Sequence, residues 1–190
     1  EKLREQMGKA SLDLVRLTKY KGAGTLEFLF DDKDNFYFLE MNTRLQVEHP
    51  VTEMVYGVDL VHAQIDLALG TWPAQFSDPN IFTVPKPKGV ALEARILAES
   101  PRQNFLPTPG LIEYYREPKG DHVRVDTGVK ANSEIFPFFD SMISKLIVHA
   151  NTRHEAVQKF KQALEDYVIF GLTTNIPFLL SLANTEEFLI

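Results

Sequence analysis

The chain has 190 residues, 44% hydrophobic and 24% charged, enough to bury a core as one domain or as two small lobes. A net charge of -6 with no basic run argues against a general nucleic-acid or anionic-membrane surface, which clustered Lys and Arg would have to supply. The absence of cysteine excludes disulfides and Cys-ligated zinc and fits a reducing compartment, and no apolar run is long enough to span a bilayer.

Taken in order, Leu3, Met7, Ala10, Leu14 and Leu17 recur at four- and three-residue steps, which predicts an amphipathic helix with one buried stripe, packed on the sheet that follows. The helix opens at Glu1 without a methionine, so the sequence reads as a piece of a longer protein. Lys21-Gly22-Ala23-Gly24 ends the helix, with glycine available for a left-handed cap. Its order, helix then strand, is the reverse of a phosphate-binding loop, so it reads as a turn. Two strand-like runs, Leu26 to Phe30 and Phe36 to Leu39, joined through Asp31-Asp32-Lys33-Asp34-Asn35, predict a hairpin. A loop of Asp32 to Asn35 pairs Asp31 with Phe36 and sets Glu27 directly opposite Glu40; a slip of one residue would send them to opposite faces.

Like charges opposed in this way cost roughly 0.2–1 kcal/mol, so the pair calls for a cation. If the chain stays extended through Pro50, Glu40, Asn42, Arg44, Gln46 and Glu48 share one side, and Met41, Thr43, Leu45 and Val47 share the other. Two carboxylates with Asn42 form a hard-oxygen site suited to Mg²⁺ or Mn²⁺. Arg44 beside it can clamp an anion in bidentate fashion. The plain alternative is the wet face of an antiparallel strand. Against it, simple alternation puts Phe36 and Phe38 on the face of Glu40, and charge at the end of an apolar surface is costly unless paired or metal-bound.

Pro50 is expected to stop the strand, with Asp59 or Thr52 capping a packed helix from Asp59 to Leu69 whose apolar face is Leu60, Val61, Ile65, Ala68 and Leu69. Trp72 to Lys88, with Pro73, Pro79, Pro85 and Pro87 around Ser77-Asp78-Pro79-Asn80, predicts a linker that divides the chain into domains 1–84 and 85–190. Val90 to Leu97 alternates, placing Glu93 and Arg95 on a polar face and Val90, Leu92, Ala94 and Ile96 on a buried one. Phe105 to Gly110 is a proline-flanked turn, and Leu111 to Tyr115 and His122 to Val125 read as short strands. The aromatic cluster Ile135 to Phe139 reads as core running into polar Asp140, Ser141 and Lys145, followed by a strand over Leu146 to His149. Thr152 and Glu155 form a capping box for a helix bearing Ala156, Val157, Phe160, Ala163, Leu164 and Tyr167 on one face and stopped by Gly171. Asn175-Ile176-Pro177 opens a last helix through Leu182. None of the five histidines pairs with another at metal-ligand spacing, so none is assigned chemistry.

The run from Glu40 to Glu53 resembles the signature of the biotin carboxylase component of biotin-dependent carboxylases, an ATP-grasp family. Gly24 to Phe28, Glu93-Ala94-Arg95-Ile96, Phe105 to Gly110 and Asp140 to Leu146 are similar to further motifs of that family. The resemblance implies an α+β fold: the C-terminal portion of an ATP-grasp domain, an antiparallel sheet with packed helices, then a β-rich biotin carboxylase C-terminal domain with terminal helices. The family uses Mg-ATP to activate bicarbonate as carboxyphosphate and then carboxylates biotin on a carrier, for an acyl-CoA or pyruvate-type carboxylase. By resemblance Glu27, Glu40 and Asn42 hold Mg²⁺ (or Mn²⁺), and Glu27, Glu40 and Leu29 contact ATP. Arg44, Gln46 and the Val47 N–H hold bicarbonate, Glu48 is the general base, and Arg95 stabilises the oxyanion on the biotin ureido group. The implied partners are a biotin carboxyl carrier domain, a carboxyltransferase subunit, the rest of the biotin carboxylase chain and a second copy in a homodimer, whose contact the segment around Arg124 resembles. No nucleic acid or membrane partner is implied, and the compartment is the cytoplasm, or the mitochondrial matrix of a eukaryote. The family's lid, with its glycine-rich loop and lysines, precedes this segment, so the segment alone is expected neither to bind ATP tightly nor to turn over. The alternatives are a sister ATP-grasp ligase of the carbamoyl phosphate synthetase kind and a non-catalytic subunit-contact or assembly lobe.

Overall fold

The computed structural model describes residues 2–76 and 86–189. Contacts divide the chain into two compact units, Glu1–Lys86 and Pro87–Ile190. The linker motif Ser77-Asp78-Pro79-Asn80 and Pro85 lie outside the described residues.

The first unit runs α1 (Lys2–Thr18), β1 (Thr25–Phe30), β2 (Phe36–Asn42), α2 (His49–Tyr56) and α3 (Leu60–Ala68). Helix α1 follows the predicted period, but its stripe is only half-buried at Leu3, Met7, Ala10 and Leu14, and Leu17 is exposed. The left-handed residue that ends it is Lys19, with φ 53°, rather than a glycine. Gly24 sits close under the hairpin: a Cβ there would stand 2.8 Å from Met41 Cε, so the methionine end would have to shift.

Pro50 does not stop a strand. It sits in the first turn of α2, where a residue without an N–H loses nothing, and Gly57 in left-handed geometry closes the helix after two turns. Asp59 caps α3 as expected, its Oδ1 accepting from His62 N at 2.7 Å. The buried face of α3 is not the predicted one: Ala63 is buried with Leu60, Gln64 and Leu67 half-buried, while Val61, Ile65 and Leu69 face solvent. Apolar residues surround most of this helix, so periodicity permits either face. Packing chooses the side of Leu60, whose N–H donates to Glu53 Oε1 of α2 at 2.7 Å.

The second unit contains β3 (Val90–Leu97), β4 (Glu99–Ser100), a 3-10 turn (Pro101–Gln103), β5 (Leu106–Pro107), β6 (Gly110–Leu111), β7 (Tyr114–Arg116), β8 (Val123–Thr127) and β9 (Glu134–Ile135). It continues with β10 (Met142–Ala150), α4 (Arg153–Asp166), β11 (Val168–Phe170), α5 (Ile176–Leu182) and α6 (Glu186–Leu189). The main sheet has the antiparallel order β3-β10-β8, and β4–β5, β6–β9 and β7–β11 form two-stranded ladders. Central strand β10 is buried on both faces, with Leu146, Ile147 and Val148 fully inaccessible. Helix α4 covers one face through Ala156, Val157, Phe160, Ala163 and Leu164, and its capping box is complete.

Three expectations are corrected in this unit. Leu111 to Tyr115 splits into β6 and β7. Gly171 does not stop α4, because β11 intervenes; with φ +106° it passes so close to Leu111 O that a Cβ would lie 2.1 Å from it. Phe136, Phe138 and Phe139 are not core but 46%, 87% and 77% exposed, since they occupy the turn between β9 and β10 rather than an alternating strand.

The outer edge of β3 is held by one buried residue. Asn175 Oδ1 accepts from Leu97 N at 2.9 Å, its Nδ2 donates to Arg95 O at 2.9 Å, and its backbone N donates to Leu97 O at 3.1 Å.

Candidate active site

The hairpin brings Glu27 opposite Glu40, but by another route than the predicted loop. Asp31 closes a tighter turn: its Oδ1 accepts from Lys33 N and Asn35 N, each at 2.9 Å, and its N–H donates to Asn35 O at 3.0 Å. The Asn35 amide beside it holds the Asp31 carboxyl below the usual carboxylate value. Phe30 therefore pairs with Phe36, where Asp31 was expected to, and Phe28 pairs with Phe38. Leu39 is then skipped as a β-bulge, which restores the pairs Glu27↔Glu40, Leu26↔Met41 and Thr25↔Asn42. The bulge also reverses the alternation, so Phe38 and Glu40 are on opposite faces, contrary to the expectation that Phe36 and Phe38 share the carboxylate's face. Phe28 packs edge-on against Phe36 and Phe38, with centroids 5.5 and 6.2 Å apart, on the other side of the sheet.

The polar face carries a compact cluster. Asn42 Nδ2 donates to Glu27 Oε1 at 2.8 Å and to Glu40 Oε1 at 3.4 Å, and Asn42 Oδ1 accepts from Arg44 NH2 at 3.4 Å. Arg44 NH1 donates to Leu45 O at 3.3 Å. Leu29, two residues beyond Glu27 on β1, is more than half exposed. Strand β2 ends at Asn42 and the chain bends at Arg44, so the five polar side chains do not continue along one extended face as predicted.

Gln46 and Val47 lead through a turn into α2, and Glu48 occupies its N-cap position without making a side-chain capping bond. Gln46 O accepts from His49 N at 3.3 Å and lies 2.7 Å from His49 Nδ1. His49 Nε2 lies 3.9 Å from Glu53 Oε2, and both side chains are nearly buried. Sequence reasoning passed over His49 and Glu53; their i, i+4 spacing directly after the polar run was the available signal. Arg44, Gln46 and Glu48 also border a cavity of about 470 Å³, whose lining includes Tyr20, Trp72 and Phe76.

The donor set fits a small divalent cation. Among the described residues no three His, Cys, Asp or Glu side chains converge on a point. Mg²⁺, however, usually binds through one or two carboxylates and completes its shell with water and substrate phosphates. Asn42 presents its amide NH2 between the two carboxylates, the place a cation shared by them would take.

Arg95 stands in the second unit, exposed on β3 and paired across the sheet with Lys145 of β10, which pairs in turn with Asp126 of β8. Arg124 Nε and NH2 grip Asp126 at 2.6 and 2.9 Å, and Lys145 Nζ lies 3.3 Å from Asp126 Oδ2. Burial pushes the Asp126 carboxyl up, but the Arg124 and Lys145 cations hold it below its ordinary value. Asp140 and Ser141 serve local structure: Asp140 Oδ1 accepts from Met142 N at 2.8 Å, and Ser141 Oγ donates to Glu99 Oε1 at 2.8 Å. On the core side, Tyr167 lies between Ser144 and Tyr115, and burial pushes its hydroxyl well above the usual tyrosine value.

A two-unit α+β chain with an opposed carboxylate pair on a hairpin matches the biotin carboxylase ATP-grasp structures in fold. The family model for the biotin carboxylase C-terminal domain matches residues 93–189, and that for the carbamoyl-phosphate synthase L chain ATP-binding domain matches residues 1–74. The chain belongs to the biotin carboxylase family. It is 46% identical over 187 residues to biotin carboxylase 1 of Bacillus subtilis, covering 98% of this chain and 40% of that one. It is 46% identical over 187 residues to the human mitochondrial propionyl-CoA carboxylase alpha chain, covering 97% of this chain and 25% of that one. The biotin carboxylase domain of Hydrogenobacter thermophilus 2-oxoglutarate carboxylase, a dimer in complex with MgADP, ADP and bicarbonate, superposes with a TM-score of 0.90 at 42% identity, over 100% of this chain and 41% of that one. The chain thus spans about two fifths or less of the length of these relatives.

Proposed function

We propose that the chain is part of a biotin carboxylase, an ATP-dependent ligase that uses Mg-ATP and bicarbonate to carboxylate biotin on a carrier domain, on behalf of a carboxyltransferase. The observation that carries this is the Glu27–Asn42–Glu40 cluster, continuous through Arg44 with the Gln46–Glu48 turn. Glu27 and Glu40 would hold the divalent cation, with Asn42 joining them through Oδ1 once its amide turns, and the cation would supply charge neutralisation at the ATP phosphates. Leu29 lies against the adenine. The Arg44 guanidinium, oriented by Asn42 Oδ1 and Leu45 O, grips bicarbonate with Gln46 and the Val47 N–H. Glu48, on the helix N-cap but not engaged in capping, takes the bicarbonate proton as general base. Arg95, its backbone pinned by Asn175, stabilises the oxyanion that forms on the biotin ureido group.

The partners are the remainder of the biotin carboxylase chain, a second copy meeting it near Arg124, a biotin carboxyl carrier domain and a carboxyltransferase subunit. Support for the second copy comes from the dimeric 2-oxoglutarate carboxylase domain. Among the described residues no helix is long and apolar enough to cross a membrane. A cytoplasmic location, or the mitochondrial matrix in a eukaryote, accords with the lack of cysteine and with relatives such as the human mitochondrial propionyl-CoA carboxylase alpha chain.

The test is ADP release by the full-length protein with Mg-ATP, bicarbonate and free biotin, wild type against Glu48→Gln. Release that needs bicarbonate, rises with biotin and collapses in the variant is the expected result. Release indifferent to biotin and to the substitution would leave the cluster serving another ATP-grasp reaction.

A further inference from the structure

His49 has no assigned part in the proposed reaction, yet its ring contacts the backbone of Gln46, which does, and it borders the same cavity as Arg44, Gln46 and Glu48. Nδ1 lies 2.7 Å from Gln46 O. A carbonyl oxygen only accepts, so this contact requires the proton on Nδ1 and fixes the ring's orientation. The backbone N–H of His49 reaches the same oxygen at 3.3 Å, so Gln46 O is held from two directions. The ring itself is held: its Nε2 faces Glu53 Oε2 at 3.9 Å, and Glu53 Oε1 accepts from Leu60 N at 2.7 Å, which ties the carboxylate to the start of α3. His49 and Glu53 are only 11% and 5% exposed in their side chains.

The consequence follows from peptide geometry. The described chain contains no cis peptide, and in a trans peptide the carbonyl and the N–H of one plane point in opposite directions. Anchoring Gln46 O on the His49 side therefore aims the Val47 N–H away from His49. We propose that His49, braced by Glu53, is a positioning residue that locks the Gln46–Val47 peptide so that the Val47 N–H is presented to the bicarbonate. This rests on the function proposed above, in which that N–H is a bicarbonate donor. The logic is that of a preorganised backbone donor held by a second layer of side chains.

The experiment compares His49→Phe, which keeps the ring bulk but has no donor, with His49→Asn, whose Nδ2 can stand near the place of Nδ1, in the full-length protein. The readout is KM for bicarbonate and for ATP in bicarbonate-dependent ADP release. His49→Phe is expected to raise the bicarbonate KM by roughly five- to tenfold, the size of one lost positioning hydrogen bond, with the ATP KM changed by less than about twofold. His49→Asn is expected to recover most of that loss. An unchanged bicarbonate KM in His49→Phe, or equal rises for ATP and bicarbonate that His49→Asn does not rescue, would overturn the positioning role while leaving the carboxylase function in place. A wild type whose ADP release ignores bicarbonate would remove the function and this role together. If His49→Phe does not melt cooperatively, Glu53→Gln, which keeps an acceptor for Leu60 N and loses the charge facing Nε2, takes its place under the same criteria.

Discussion

Neutralising Glu40 should make the protein more stable in the absence of a divalent cation, although most substitutions do the reverse. Glu27 Oε1 and Glu40 Oε1 both lie within 3.4 Å of Asn42 Nδ2. They are therefore at most about 6 Å apart, where two unit charges in water repel by about 0.7 kcal/mol. At physiological salt, with a Debye length of about 8 Å, screening removes about half of this. In Glu40→Gln the side-chain oxygen that accepts from Asn42 Nδ2 is kept, so the contact survives as a neutral hydrogen bond, and the gain is the lost repulsion less the attraction of Glu40 for Arg44, whose NH2 lies 3.4 Å from Asn42 Oδ1. For a domain of this size the gain corresponds to a melting-temperature rise of about 1–2 °C at low salt. Thermal melts in EDTA at about 10 mM and about 1 M salt measure it, and the rise should vanish at the higher concentration, where the Debye length falls to about 3 Å. In the full-length protein with Mg-ADP present the order should invert, because the wild type gains more ligand stabilisation than the variant. A Glu40→Gln protein that melts below wild type at low salt without cation would show that the opposed pair is not strained, and the case for a cation there would lose its physical basis.

Two further outcomes concern the second unit. Leu146→Ala removes a side chain with no solvent exposure from the central strand and should cost about 2–5 kcal/mol, read as a lower urea midpoint at unchanged m-value. The Asp126 carboxyl is held below its ordinary value of 3.8, so its stabilising contribution is complete above that value and is lost as pH falls through the lower folded-state value. Melts of wild type and Asp126→Asn across the acid range should accordingly differ most above about pH 4 and converge below it; a gap that persists to the acid limit would mean the Arg124–Asp126–Lys145 charges are not its source.

The elements with strong periodicity were legible: α1, the hairpin and β3 lie where composition and spacing put them, and α4 starts at its predicted capping box, although it ends at Asp166 before the expected stop and β10 begins at Met142, four residues ahead of the predicted strand. What stayed hidden were conditional events. Nothing in the hairpin residues announces that the Asp31 side chain will shorten the turn, or that Leu39 will be skipped to compensate. Two departures from the expected register cancel at Glu27 and Glu40, which is why the carboxylate pair was found while the face of Phe38 was misjudged. Helix α2 was hidden because Pro50 breaks helices everywhere except in their first turn. The buried face of α3 was a choice between apolar faces that periodicity leaves open and packing decides. His49 has no second histidine at ligand spacing to draw notice; its partners are a backbone carbonyl and a carboxylate four residues on.

Asn175 has a meaning beyond local geometry. A strand at the rim of a sheet offers unmet amides and carbonyls on which any passing extended segment can build, and such rims are where ordered proteins begin to aggregate. Three bonds from one asparagine fill the hydrogen-bonding positions at Arg95 and Leu97 that an incoming strand would need, with no strand added. The same residue precedes α5, so the backbone that carries Arg95 is stapled to a helix nearly eighty positions later in the chain. Removing that staple should register twice, as a sheet newly prone to recruit its neighbours and as an arginine no longer held steady.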